Sequence, residues 1–86
     1  MDRFTVVYLS DAEAELASIW SETDDRSRVR RAADEAERVL AIAPETRSVF
    51  LGEGLWRLQI DPLRFYFAIR DADRIVEVSN VNLVKG

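Results

Sequence analysis

The spacing of apolar side chains divides the chain into two kinds of segment. Between residues 12 and 43 they return every three or four positions, and from residue 56 onward every second position. The first period is that of one helix face, the second that of one strand face. In the first block Ala12, Leu16, Ile19 and Trp20 form one stripe, with Glu13, Glu15 and Glu22 on the other face, in water. Val29, Ala32, Ala33, Ala36, Val39, Leu40 and Ala43 form another, closed by Pro44. The polar triplet Thr23-Asp24-Asp25 separates them, so the pattern predicts two helices in an antiparallel hairpin with a short loop. Ser10, with Glu13 three residues on, has the spacing of a capping box, which predicts a first helix starting at Asp11.

Before the first helix, residues 3–9 are rich in β-branched and aromatic types and read as a strand buried on both faces. Trp20 and Trp56 fall on apolar stripes and are expected in the core. The alanines of the second helix let its backbone lie close to its neighbour, so the larger side chains of the first helix, with the sheet, are expected to fill most of the interior. Residues 44–54 carry Pro44, Gly52 and Gly54 without a period. They read as a loop that brings Val49, Phe50 and Leu51 to the core edge.

Beyond it, Trp56, Leu58 and Ile60 alternate with Arg57, Gln59 and Asp61, and after Asp61-Pro62 the run Leu63, Phe65, Phe67, Ile69 alternates with Arg64, Tyr66, Ala68, Arg70. A one-residue slip in pairing would carry a whole apolar set into water, so burial fixes the register. With Asp61 and Pro62 as the turn, Ile60 faces Leu63, Leu58 faces Phe65 and Trp56 faces Phe67. The opposite face then sets Arg57 across from Tyr66 and Gln59 across from Arg64. Asp71-Ala72-Asp73 predicts a second turn, after which Val76 and Val78 join the core while Ile75, Glu77 and Ser79 join the polar face. Alternation fails at Ser79-Asn80, where a bulge or a change of exposure would let Val81 and Leu83 find cover.

Composition narrows the chemistry. The 86 residues amount to one modest domain, 1–86, with 48% hydrophobic and 33% charged residues, a globular balance. With no cysteine and no histidine the chain has no thiol nucleophile and none of the usual zinc ligands, so neither a metal nor a cofactor is expected. No apolar run approaches membrane-spanning length and the first residues lead straight into the strand pattern, so the chain reads as soluble and cytoplasmic, without a membrane partner. The net charge of −4 does not advertise nucleic-acid binding. Its distribution is uneven: residues 1–45 hold 6 basic and 11 acidic groups, residues 46–86 hold 6 basic and 5 acidic. Any anion-binding surface therefore belongs to the C-terminal half.

The order strand, two helices, three strands resembles the RelE/ParE superfamily of toxins from bacterial type II toxin-antitoxin systems, which includes plasmid stabilisation proteins. The segments that carry the likeness are Tyr8 to Trp20, the helix-closing Pro44, and Trp56 to Phe67. The resemblance implies an α+β fold: an N-terminal strand, a helix hairpin on one face, and a three-stranded antiparallel meander completing one antiparallel sheet. It also implies a toxin neutralised by a cognate antitoxin. Two modes of action belong to the superfamily, ribosome-dependent cleavage of messenger RNA and block of DNA gyrase through protein contacts. A third reading, from another class, is a non-toxic interaction module that keeps the fold.

Cleavage would need groups that stabilise a phosphate and carry protons at both ends of the transfer. Basic family positions correspond to Arg57, Gln59 and Arg64, so Gln59 departs from the pattern. Arg57, Arg64 and Tyr66 are the candidate catalytic residues under the ribonuclease reading alone. Arginine stays protonated and cannot act as a base, which leaves Tyr66, Glu77 and Lys85 as proton carriers and the catalytic set incomplete. Whether the chain is an enzyme stays open at this point. The ordinary reading of both arginines is solvated pairing with carboxylates such as Glu77 or Asp61, and that of Tyr66 is a cross-strand partner for Arg57. The acidic helix faces suit a basic antitoxin segment, and the last strand with residues 49–51 offers an apolar seat.

Overall fold

The computed structural model describes residues 3–84. Its elements are β1 (Thr5–Tyr8), α1 (Ser10–Glu22), α2 (Arg26–Ile42), β2 (Ser48–Gly52), β3 (Leu55–Ile60), β4 (Leu63–Arg70) and β5 (Ile75–Leu83). They build one five-stranded sheet in the order β1-β5-β4-β3-β2. The sheet is mixed rather than antiparallel throughout, because β1 runs parallel to β5, with Thr5 opposite Ile75 and Tyr8 opposite Val78. The intervening helices supply the long crossover that a parallel neighbour requires.

The β3–β4 hairpin has the register that alternation predicts. Ile60 pairs with Leu63, Leu58 with Phe65 and Trp56 with Phe67, while Arg57 pairs with Tyr66 and Gln59 with Arg64. Leu58, Leu63, Phe65 and Phe67 are buried. The expected bulge is also present. Phe67 pairs with Val78 but Tyr66 with Asn80, so Ser79 is the extra residue. The phase change brings Val76, Val78 and Val81 alike into the core. Leu83, by contrast, stays exposed.

The helices divide the core differently from expectation. α2 contributes Val29, Ala32, Ala36 and Leu40 to the buried cluster, whereas α1 contributes Ala12, with Leu16 and Ile19 packed around it. α1 lies chiefly along β5, whereas α2 reaches β1, β3 and β4, so the row of α2 is covered by several strands at once. Trp20 is not a core residue: it is 39% exposed, and its ring carries the Arg26 guanidinium 5.7 Å from its centroid. Trp56 is half-buried, between Phe50 at 5.0 Å and Phe67 at 6.5 Å.

Both ends of the sheet also depart from the sequence reading. β1 is an edge strand with Thr5 and Val7 exposed, not a strand buried on both faces. Residues 48–52 are not a loop but the opposite edge strand, and Val49, Phe50 and Leu51 lie in the open. An edge strand reaching beyond the helices has no dry face, which is why three consecutive apolar residues show no alternation. The β2–β3 turn places Glu53 and Gly54 at φ 51° and 78°, a region glycine enters without penalty.

The capping box is absent. The Leu9 amide donates to the Val78 carbonyl at 2.9 Å, tying the chain to β5, and the helix begins at Ser10 with no side-chain cap. Asp25 does cap α2, accepting from the Arg28 amide at 3.1 Å. Glu15, expected in water, turns inward to the bulge. Its carboxylate accepts the Val81 amide at 2.8 Å and the Asn80 side-chain amide at 3.3 Å. β1 ends opposite Val78, so on that side β5 has no further ladder partner, and here a helix side chain satisfies one of its amides.

Replacing Glu15 by alanine strands that part-buried amide and is expected to cost ~1–3 kcal/mol, with Glu15→Gln losing less, as read by urea denaturation. Phe65→Ala empties the centre of the buried cluster and is expected to cost about 3–5 kcal/mol in the same measurement.

Candidate functional site

Two surfaces are candidates, and they lie on opposite sides of the sheet. The outer face carries the polar set of β3 and β4. Arg64 donates from Nε and Nη2 to the Gln59 Oε1 at 3.2 and 2.9 Å, and Gln59 Nε2 donates to the Asp61 Oδ1 at 3.3 Å. Gln59 therefore links the charge of Arg64 to Asp61 through one amide. Arg57 and Tyr66 face each other across the hairpin, and among the described residues neither side chain makes a hydrogen bond or ion pair.

Among the described residues, the expected proton carriers Tyr66 and Glu77 share no side-chain hydrogen bond on this face. Glu77 is held by Arg70 at 3.0 Å, and that hydrogen bond, with the charge behind it, raises the Arg70 guanidinium further above its usual range. Lys85 lies outside the described residues. Tyr66 is left beside two arginines, neither of which can accept a proton. The face can bind an anion through Arg57 and Arg64 and stack a planar group on Tyr66. Among the described residues it has no assembled acid–base pair. Neither Glu77 nor Asp61 is an ion-pair partner of Arg57 or Arg64 among the described residues, since Asp61 reaches Arg64 only through Gln59.

On the helix side a groove of about 600 Å³ opens between α1 and α2. Leu16, Ala17, Trp20, Val29 and Ala33 line it, with Glu13, Arg30 and Asp34 at its polar rim and Tyr8 at its floor. The Tyr8 hydroxyl is buried and finds no hydrogen-bond partner. Burial, followed by the charges of Glu37 and Asp34, pushes its pKa from 10.0 up to about 12. The phenol is thus neutral, and its oxygen is free to bond an incoming group. The sequence stripes contain every apolar residue of this groove except Ala17, but they assign Trp20 to the core. The signal of a groove is geometric, since it lies where large side chains of α1 meet small ones of α2 across the gap between them.

A helix hairpin on one face of a mixed sheet, with the first strand parallel to the last, defines an α+β class. More particularly, this architecture is the RelE/ParE toxin fold. A chain of the toxin–antitoxin complex RelBE2 from Mycobacterium tuberculosis superposes with a TM-score of 0.79 at 19% identity, over 96% of this chain and 93% of that one. A chain of the chromosomal ParDE system of P. aeruginosa gives 0.70 at 12% identity, over 99% and 100%. The isolated RelE toxin of E. coli gives 0.58 at 13% identity, over 96% and 86%. No family model and no curated protein matches the chain. Among the described residues no helix is long and apolar enough to cross a membrane, and no group of acidic side chains is arranged to hold a metal ion.

A raised tyrosine pKa destabilises the fold at high pH. Below pH 10 the phenol is neutral in both states; between pH 10 and about 12 the unfolded chain ionises while the folded one resists. Stability is therefore expected to fall across that window. The difference between the native chain and Tyr8→Phe, measured by denaturant titration at each pH, should grow in favour of phenylalanine over the same interval.

Proposed function

We propose that this chain is the toxin of a type II toxin-antitoxin pair, acting in the cytoplasm and held inactive by a cognate antitoxin. The observation that carries the reading is the superposition of nearly the whole chain on chains of the RelBE2 and ParDE complexes. The seat suggested for the antitoxin is the groove between α1 and α2. Its apolar lining would take a large side chain, while Glu13 and Asp34 at the rim suit basic neighbours on the same segment. The last strand is a poorer seat, because β5 is paired on both sides along Ile75–Val78.

For the target, the outer face favours contact over chemistry. Under an RNA-cleaving reading Arg57 and Arg64 would hold the phosphate and Tyr66 would stack or donate, yet Arg64 is committed to Gln59 and Glu77 to Arg70. Blocking a protein such as DNA gyrase needs no catalytic set and agrees better with that arrangement. The alternative of a non-toxic module predicts no effect on growth.

Inducing the chain alone is expected to arrest bacterial growth, and co-expression of the protein from the neighbouring reading frame is expected to relieve it. Normal growth with soluble protein present would favour the non-toxic module. The double replacement Arg57→Ala and Arg64→Ala is expected to leave the arrest intact; its loss, with messenger RNA no longer cut, would return both arginines to a catalytic role.

A further inference from the structure

The groove between α1 and α2 has unlike ends. On the side of α2 turned to α1, positions 26, 30, 34 and 37 follow one another at helical spacing and stand in one row along the groove. They hold Arg26, Arg30, Asp34 and Glu37 in that order, two cations and then two anions. Separate contacts place each of them there. Arg26 lies over the Trp20 ring and donates from Nε to the Trp20 carbonyl at 3.1 Å, Arg30 and Asp34 line the groove, and Glu37, like Asp34, is near enough for its charge to act on Tyr8. α1 adds Glu13 to the anionic end, away from the loop that joins the helices. Arg30 and Asp34 have the spacing of an intrahelical ion pair, yet among the described residues none of these five charges is in a salt bridge. Glu22 and Asp25, near the cationic end in sequence, are turned instead to the Ser18 hydroxyl and the Arg28 amide.

We propose that the groove is a directional seat. It takes an amphipathic helix of the partner with basic side chains at the end held by Glu13, Asp34 and Glu37, acidic side chains at the end held by Arg26 and Arg30, and two large apolar side chains between them. This rests on the groove being the antitoxin's seat and adds the sense in which the bound segment runs. The length fits such a helix. From Glu13 to Trp20 α1 rises about 10 Å, which is room for two anchors one turn apart on a helix laid along it. Leu16, Val29 and Ala33 supply the apolar ground on which those anchors would rest. Apolar contact alone is indifferent to direction, since a pair of leucines reversed end for end fills much the same space. The row of charges is not indifferent, because one sense matches every charge and the other sets like against like at both ends. A segment of one sign throughout would be repelled at one end.

Nuclear magnetic resonance of the full chain with synthetic helical peptides tests it. The probe is an alanine-rich helix with leucines at i and i+4, lysines in the turn before them and glutamates in the turn after, carrying a nitroxide at one terminus. Titration is expected to shift the amides of the groove. A nitroxide at the N-terminus should broaden amides near Glu13 and Asp34, and one at the C-terminus those near Trp20 and Arg30. A second peptide with lysines and glutamates exchanged should bind the other way round, so that the broadening changes ends. A third, with the same charges in alternating order, should bind about tenfold more weakly. Reversing the row with Arg26→Glu, Arg30→Glu, Asp34→Lys and Glu37→Lys together should reverse the sense of each peptide. All four side chains are exposed, so circular dichroism should be unchanged; Arg30→Glu with Asp34→Lys is the second variant should the fourfold one fail to fold. Failure of every peptide to bind, broadening that ignores charge order, or equal affinity for the alternating peptide would overturn the proposal. These measurements use the chain by itself and are indifferent to growth arrest, so they fail or succeed separately from the toxin reading. A neighbouring-frame protein that bound without displacing the peptide would take the groove from that partner and overturn the proposal as well.

Discussion

The fold turns on one hydrogen bond between a helix and a sheet. Along β5 the alternation of inward and outward side chains would carry Val81 into water if the strand ran on evenly past Val78. The extra residue, Ser79, reverses the phase and returns Val81 to the core, at the expense of a regular ladder. Glu15 makes that exchange tolerable by accepting the Val81 amide. One carboxylate thus ties α1 to β5 just past the bulge, through Asn80 and Val81.

Where a residue has one dry side and one wet side, its place was legible in the sequence. The β3–β4 register, the phase change at Ser79 and the buried row of α2 all follow from that contrast, because a wrong phase would drown phenylalanines and leucines. Elements at the margins were not legible. β2 has no dry side, so nothing alternates, and it read as a loop. β1 read as doubly buried because Thr5 and Val7 are of strand-forming type, but type reports preference for extended backbone and not depth. Glu15 was placed in solvent because helical periodicity describes one helix alone. Its partner, the Val81 amide, lies 66 residues further on and is left free where the β1 ladder ends at Val78.

The candidate sites divide along the same line. Strand pairing brought Arg57 opposite Tyr66 and Gln59 opposite Arg64 from pattern alone. How the side chains then associate depends on side-chain reach, which pattern does not hold: Arg64 turns to Gln59 rather than to a carboxylate. The helix groove needed the packing itself. Trp20 sits on the apolar stripe of α1, yet α2 presents alanines opposite it, and the resulting gap leaves its ring at the surface under Arg26.

The parallel ladder between β1 and β5 gives the molecule an uneven resistance to opening. Strands β2 to β5 form a meander whose neighbours are joined by short turns, whereas β1 rejoins the sheet after some 70 residues, from Thr5 to Ile75. Contacts so distant along the chain form late, after local ones have reduced the loop to be closed. A four-residue edge strand held by one such ladder can also be released without breaking the meander. The interior of the meander should exchange its amides with solvent on the timescale of complete unfolding, and β1 well before it.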